Sequence, residues 1–326
     1  MKKALVLGAG GFIGSHMVKR LKSEAYYVVG IDLKKPVYSD SYADEFHISD
    51  LTNRNDFENI LGSYERFDEI YQYAADMGGA AFVFSGENDA DLMSNSALIN
   101  LNVLNAVNSE YKNVDDIIIF YSSSACMYPN HIQTKTNNPG LKEKDAFPAN
   151  PDSGYGWEKI FGEKLYYAFH KNYNLNIRIG RFHNTYGPEA PFGDEREKVP
   201  MAICRKIALS ENVDEIEVWG DGKQTRSFLY IDDNIEATRR LMKSNFIKPI
   251  NIGSEEMVSI NELVKIVSEI SNKEITIKHI DGPQGPRGRN SNNDLIKEIL
   301  DWDYIYSLSE GLALTYSWIQ KQLSIK

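Results

Sequence analysis

The first 32 residues limit the possible folds more than any other stretch. Ala4-Leu5-Val6-Leu7 is apolar at every position, Gly8-Ala9-Gly10-Gly11-Phe12-Ile13-Gly14 follows at once, and Ser15 to Ser23 mixes apolar and charged residues at a helical period. A strand apolar on both faces belongs inside a parallel sheet, and parallel strands need crossover connections. The next run, Tyr27-Val28-Val29-Gly30-Ile31, is a second such strand and ends in Asp32. Strand, glycine turn, helix and strand form one βαβ unit, which predicts an α/β chain with a doubly wound parallel sheet. Glycines let the backbone approach a pyrophosphate at a helix N-terminus, where free N–H groups and the dipole favour an anion. Gly8, Gly11, Phe12, Ile13 and Gly14 are therefore candidate cofactor contacts. Asp32 is placed to accept hydrogen bonds from an adenosine ribose and to repel a 2′-phosphate, which favours NAD over NADP. Lys34 and Lys35 follow directly and argue the other way.

The strand rhythm continues. His47-Ile48-Ser49-Asp50-Leu51 reads as a third strand, with Asp50 alternatively a cap for the helix after it. Ile70 to Ala75 reads as a fourth, running into Asp76-Met77-Gly78-Gly79, where two glycines permit close approach to a ligand. A helical pattern covers Leu92 to Tyr111, and Ile117-Ile118-Ile119-Phe120-Tyr121 is a buried strand with a polar tail that includes Ser124 and Cys126. Parallel strands deliver functional groups at their carboxyl ends. If the chain stays extended, Ser124 and Cys126 point to one face. Tyr155 and Lys159, four residues apart in a helical pattern, share a face, so the amine lies beside the phenol. A phenol with a pKa of about 10 is a poor base at neutral pH, and a neighbouring ammonium favours its phenolate. On its own, Tyr-x-x-x-Lys is also a common surface pair.

Asn176 to Phe182 is another strand, and beyond Pro188 the rhythm breaks. A charged loop spans Glu189 to Lys198, a helix Val199 to Leu209 and a strand Ile216 to Trp219. Thr225 to Asp233 leads back towards the first part, and Pro249 to Gly253 is a strand with a glycine stop. Ser259 caps a helix from Ile260 to Ile270, and Glu274 to Ile280 is again a strand. The expected division is a dinucleotide-binding domain of residues 1–182, with 225–253 returning to it, and a smaller mixed α/β substrate domain of 183–224 and 254–326.

The chain has 326 residues and a net charge of −10. With a pI near 5.2 it lacks the basic surface a nucleic acid requires, so any anionic ligand must be met by local cations. Two cysteines in such a length, Cys126 and Cys204, fit a reducing, cytoplasmic setting better than a disulfide framework. No long apolar segment suggests a membrane span, and no motif suggests a metal site.

The glycine spacing at positions 8, 11 and 14, together with Ser124, Tyr155 and Lys159, resembles the extended, sugar-nucleotide-modifying branch of the short-chain dehydrogenase/reductase superfamily, the NAD-dependent epimerase/dehydratase family. The resemblance implies a Rossmann-type fold and bound NAD, contacted also by Asp50, Leu51 and Ala74, with Tyr155 as acid/base and Ser124 orienting the substrate oxygen. Further runs are more specific. Ala75 to Gly79, Ser123-Ser124-Ala125-Cys126, Gly180 to Asn184, Arg196-Glu197-Lys198, Trp219 to Phe228 and Arg287-Gly288-Arg289-Asn290-Ser291 are similar to the GDP-mannose 3,5-epimerase family across nearly the whole chain. That resemblance implies Cys126 and Lys198 as the acid/base pair. It implies a GDP-sugar as substrate and a homodimer built through helices flanking the sheet. Met77, Gly78, Asn184, Lys206, Arg226 and Arg287 are the further expected substrate contacts, with Arg289 another cation for the diphosphate.

The implied chemistry is transient oxidation at C4, proton transfer at C3 and/or C5 through an enolate, and re-reduction. The bland readings are a buried apolar thiol for Cys126 and solvated surface for Lys198. Cys204 is read that way. Phe82 to Leu92 and Glu189 to Glu195 depart from the family, so another GDP-hexose or a GDP-heptose stays open as substrate. So do C4 epimerisation, C4 dehydrogenation and 4,6-dehydration of another nucleotide sugar. Dehydration calls for an acidic pair where Ala125-Cys126 stands. A non-catalytic NAD sensor is the remaining alternative, although Ser124, Tyr155 and Lys159 are all intact.

Overall fold

The computed structural model describes residues 1–326 except 79–81, 84, 85, 112, 113, 195, 283, 284 and 326, and only the backbone of 325. Gly79, expected near the ligand, and Glu195, in the divergent loop, lie outside the described residues. Seven parallel strands form the central sheet. Its first six in chain order are β1 (Lys3–Leu7), β2 (Tyr27–Asp32), β3 (Glu45–Ile48), β4 (Glu69–Gln72), β5 (Ile118–Ser124) and β6 (Asn176–Phe182). The spatial order is β3-β2-β1-β4-β5-β6, and the strand Ile250–Ile252 adds to the far edge beside β6. The order reverses between β1 and β4, and ligands of such sheets bind outside the carboxyl ends at that point.

Apolar residues explain the layers. Leu5, Leu7, Val29, Ile31, Ile70 and Ile119 face one side with Phe57, Val103, Leu104 and Tyr166, beneath the helices α2 (Arg54–Gly62), α3 (Asp89–Glu110) and α4 (Gly154–Tyr173). Ala4, Val6 and Val28 face the other side and join α1 (Phe12–Ser23) to the helix Ile231–Lys243. That core continues into the carboxyl-terminal helices Val199–Leu209, Ile260–Ser271 and Leu308–Ile325, so the two faces are closed by different parts of the chain. No described helix is long and apolar enough to cross a membrane.

Three local departures from the sequence expectation bear on function. β3 ends at Ile48, where its ladder with β2 runs out opposite Asp32. Asp50 therefore lies in a turn, its carboxylate accepting from the Thr52 N–H and hydroxyl, and Asn53 caps α2 in its place. β4 stops at Gln72, whose side chain both donates to the Ala74 carbonyl and accepts the Ala74 N–H. β5 runs on to Ser124, but the chain then coils into a 3-10 turn over Ala125–Met127. Ser124 Oγ caps that turn by accepting the Cys126 N–H at 3.2 Å, so the simple strand alternation of Ser124 and Cys126 does not hold.

Helix α4 comes very close to β5. A Cβ on Gly162 would stand 2.1 Å from the Tyr121 hydroxyl oxygen. Tyr121 is a rigid ring held in a full core, so overpacking should be costly. Gly162→Ala is expected to destabilise the fold by about 1–3 kcal/mol, read as a lower midpoint in urea at unchanged m-value.

Candidate active site

The glycine turn forms a cradle that fits a pyrophosphate. Gly8 has a φ of 83°, and a Cβ there would meet the Ala74 nitrogen at 2.8 Å. A Cβ on Gly14 would meet the Gly8 carbonyl oxygen at 2.0 Å. Larger residues would therefore push β4 and α1 away from the turn. The cap residue Gly11 offers no side-chain acceptor and the first turn of α1 has no acidic residue, which leaves its N-terminal N–H groups for an anion. Asp32 closes the far side. Its carboxylate accepts from the Gly10 N–H at 2.9 Å and the Lys34 N–H at 3.3 Å, while burial raises its pKa against those hydrogen bonds. Phe12 and Ile13 are half-buried at the start of α1, and Leu51 is buried behind the turn after β3. This donor and acceptor set suits a dinucleotide whose ribose hydroxyls meet a carboxylate.

The carboxyl ends of β4 and β5 meet the start of α4. Ser153 caps α4 by accepting the Gly156 N–H, which sets Tyr155 in the first turn facing the sheet. Tyr155 is buried and donates to Met77 Sδ at 3.7 Å. Burial, then the charges of Cys126 and Glu158, push the Tyr155 phenol above the ordinary tyrosine range, whereas the Ser124 hydroxyl and Arg289 pull it back. Lys159, one turn further on, is buried with its ammonium 5.4 Å from the Tyr155 ring centre. Cys126 shares a small apolar cluster with Tyr155, Phe82, Val83 and Leu92. The divergent segment Phe82 to Leu92 thus borders the site through its described residues.

Around the thiol stands a group of cations. The strand Gly288–Arg289 pairs in parallel with Thr225–Ser227, placing Arg289 opposite Arg226. Arg289 donates to Cys126 Sγ at 3.0 Å, to Gln133 Oε1 at 2.6 Å and to Asp152 Oδ2 at 3.3 Å. Burial, with Arg289 adding to it, pushes the Arg226 guanidinium down to about 9, and Cys126 and Asp152 act in the opposite direction. Lys198 is the cap residue of the helix Val199–Leu209 and is half-buried. Desolvation lowers its ammonium pKa, and the charge of Cys126 raises it, so thiol and amine sense each other. Asn184 is held by a bond from its amide to the Ser227 carbonyl at 3.0 Å.

Two expected diphosphate contacts are engaged elsewhere. Lys206 donates to the Glu217 carbonyl at 2.7 Å on the surface. Arg287 makes a bidentate pair with Asp221, both bonds 2.7 Å. Gln133 and Asp152, which anchor Arg289, carry no recognisable sequence signal. Adjacency to Lys159 was the only hint for Glu158. Cys204 is fully buried and burial pushes its thiol up to about 12, which makes it an inert core residue. His183 is buried, bonded to Asn251 Oδ1 at 3.2 Å and held down at about 3, neutral at any physiological pH. Among the described residues no group of three or more His, Cys, Asp or Glu side chains could hold a metal ion.

The model of the NAD dependent epimerase/dehydratase family matches residues 4–253. GDP-mannose 3,5-epimerase of Arabidopsis thaliana is 46% identical over 325 residues, which cover 98% of this chain and 83% of that protein. GDP-mannose 3,5-epimerase 1 of Oryza sativa subsp. japonica is 45% identical over 322 residues, with 98% and 82% covered. Among solved structures, UDP-glucose 4-epimerase with UDP-glucose from Thermotoga maritima superposes with a TM-score of 0.86 at 25% identity, covering 98% of this chain and 99% of that one. UDP-glucuronic acid 4-epimerase from Bacillus cereus, in complex with UDP-glucuronic acid and NAD, gives 0.82 at 29% identity with the same coverage.

Proposed function

Because this chain belongs to the NAD dependent epimerase/dehydratase family and is an NAD-dependent nucleotide-sugar epimerase, we propose that its substrate is GDP-mannose and that it inverts C3, C5 or both of the sugar. The observation that carries this reading is the Cys126 thiol bonded to Arg289 and packed with Tyr155, with Lys198 near enough to sense its charge. A C4 epimerase has no use for a second acid/base pair. In this reading residues 1–182 with 225–253 hold the cofactor, and 183–224 with 254–326 hold the nucleotide sugar.

Gly8, Gly11, Phe12, Ile13 and Gly14 would hold the cofactor's pyrophosphate, Asp32 its ribose, and Asp50, Leu51 and Ala74 the adenosine side, with Tyr155 and Lys159 at the nicotinamide end. When bound, NAD supplies a hydride acceptor at sugar C4 and later returns the hydride. Tyr155 takes the proton of the 4-hydroxyl as its C–H bond is broken, and Ser124 orients that oxygen. Lys159 and Arg289 offset the burial that keeps the phenol neutral. The resulting ketone acidifies the C3 and C5 hydrogens. Cys126, as thiolate, removes one proton, and the electron pair of the broken C–H bond becomes the enolate that Arg289 and Arg226 stabilise. Lys198, as ammonium, returns a proton from the other face, so the centre inverts and no net oxidation occurs. Asn184, Met77, Gly78, Lys206, Arg226 and Arg287 complete the substrate contacts. Lys206 and Arg287 must first exchange their present partners for phosphate oxygens.

The roles fix a pH dependence. Lys198 donates only when protonated, and its pKa lies below the ordinary 10.5. Turnover should therefore fall on the alkaline side at a pH below 10.5, as the ammonium is lost. Lys198→Arg keeps its charge throughout that range, so its much lower residual activity should lose the Lys198 limb of the decline and keep only that of Arg226, whose guanidinium lies at about 9. A pH–rate profile of both proteins from pH 6 to about 11 tests this.

Helix α4 exposes Trp157 and Phe161, and α3 exposes Leu98. Apolar side chains left on helices that flank the sheet support a homodimer through α3 and α4. Both cysteines are free, which supports a cytoplasmic setting. The direct test of the activity is NMR of the product formed from GDP-mannose. Sugar inverted at C3, C5 or both supports the reading, and a product altered only at C4 overturns it.

A further inference from the structure

Glu158 is almost completely buried, one residue before Lys159 and three after Tyr155 on the same helix. Its carboxylate lies 3.4 Å from the Lys159 ammonium. The other carboxylate oxygen accepts from Asn100 Nδ2 of α3 at 3.2 Å and from the Tyr121 hydroxyl of β5 at 3.4 Å. Asn100 in turn accepts from Gln72 Nε2 at 3.1 Å, and Gln72 is the side chain that fixes Ala74 against the glycine turn. An ion pair from the Lys159 ammonium to Glu158 therefore continues as hydrogen bonds through Asn100 and Gln72 to the cofactor cradle. Gly162 leaves the space that Tyr121 needs to join it.

Burying an ammonium between the rings of Tyr121 and Tyr155, at 5.1 and 5.4 Å, is costly without a counter-charge. Glu158 supplies that charge. The same negative charge, one helical turn from Tyr155, disfavours the phenolate that Lys159 favours. The groups facing Tyr155 are Lys159 and Glu158 from α4, Tyr121, Ser124 and Cys126 from β5 and the turn after it, and Arg289 from its own short strand. Those facing Glu158 are Lys159, Tyr155, Tyr121 and Tyr166, with Asn100 from α3.

We propose that Glu158 is a positioning residue that holds the Lys159 ammonium in place and opposes its charge at Tyr155. The proposal rests on the reading of Tyr155 as the proton-transferring group at C4. It is a brake with a purpose: a phenolate stabilised too far would be too weak a base to take the 4-hydroxyl proton, and the cycle needs proton transfer in both directions.

The test is the ionisation of Tyr155 itself, followed by NMR of ring-labelled tyrosine in the NAD-loaded protein, with Tyr155→Phe identifying its signal. Glu158→Gln keeps the shape and removes the charge, so the Tyr155 midpoint should fall by about one pH unit. Asn100→Ala keeps the carboxylate but removes an amide donor that partly neutralises it, so the midpoint should rise by a smaller amount. This second variant carries the test should Glu158→Gln fold poorly. A midpoint that is unmoved, moves the wrong way, or lies out of range in every protein overturns the proposal. Turnover retained in Tyr155→Phe would instead overturn the role of Tyr155, while the titrations would still report on Glu158.

Discussion

Tyr155→Phe is expected to lower turnover of GDP-mannose by about a hundred- to ten-thousand-fold while leaving the folded protein almost as stable. The phenol is buried, but its hydroxyl has only weak bonding, a 3.7 Å bond to the Met77 thioether and the neighbouring Ser124 hydroxyl, so its removal should cost no more than about 1.5 kcal/mol. The kinetic loss is large because no other side chain placed at C4 can take the hydroxyl proton. Ser124 is occupied as the acceptor that caps the Cys126 turn, and Lys159 is tied to Glu158. The measurement is steady-state kinetics beside thermal unfolding. A variant that loses rate and keeps its melting temperature fits the assigned role, whereas a parallel loss of both would mark Tyr155 as mainly structural.

Cys126→Ala should have an effect as large, but at a different step. Without the thiolate the proton on the sugar carbon stays in place, and inversion should fall by a factor in the same range. Arg289 is central to this expectation. Its guanidinium donates to the sulfur at 3.0 Å, and the thiolate, not the thiol, is the form that can take a proton. Cys126→Ser keeps the size and polarity but presents a far weaker acid, so it should not restore the rate. Proton abstraction being lost, the 4-keto sugar is formed and returned unchanged. Mixed with NAD and GDP-mannose, the alanine variant should therefore still show reduced nicotinamide by absorbance while releasing no inverted sugar. Inverted product at an undiminished rate would remove Cys126 from the proton path.

Much of this was legible in the sequence because the relevant signals are local. The strand, glycine turn and helix of residues 3–23 are fixed by an apolar run and by positions where any Cβ would clash. Tyr155 and Lys159 share a face because the helical period puts them there, and the helix Val199–Leu209 falls where its apolar pattern does. What sequence could not supply is pairing over distance. Arg289 reaches Cys126 across 163 positions, by way of a two-residue strand too short to show any period. Spacing alone could not separate Arg289, beside the thiol, from Arg287, whose guanidinium is on Asp221 at the surface. Nor could it show that Ser124 would cap a turn and so end the extended run before Cys126. Asp50 illustrates the same limit at a strand end, since the length of β3 is set by its partner strand and not by its own residues.

Deuterium exchange tests the central claim most directly. Incubated with GDP-mannose in heavy water, the NAD-loaded protein should place solvent deuterium at C3 or C5, or at both, because a proton leaves each inverted carbon and is replaced from a group in contact with solvent. Cys126→Ala should abolish that exchange. Inverted sugar that carries no deuterium at those carbons, or exchange that persists undiminished in Cys126→Ala, would contradict an enolate formed by this thiol.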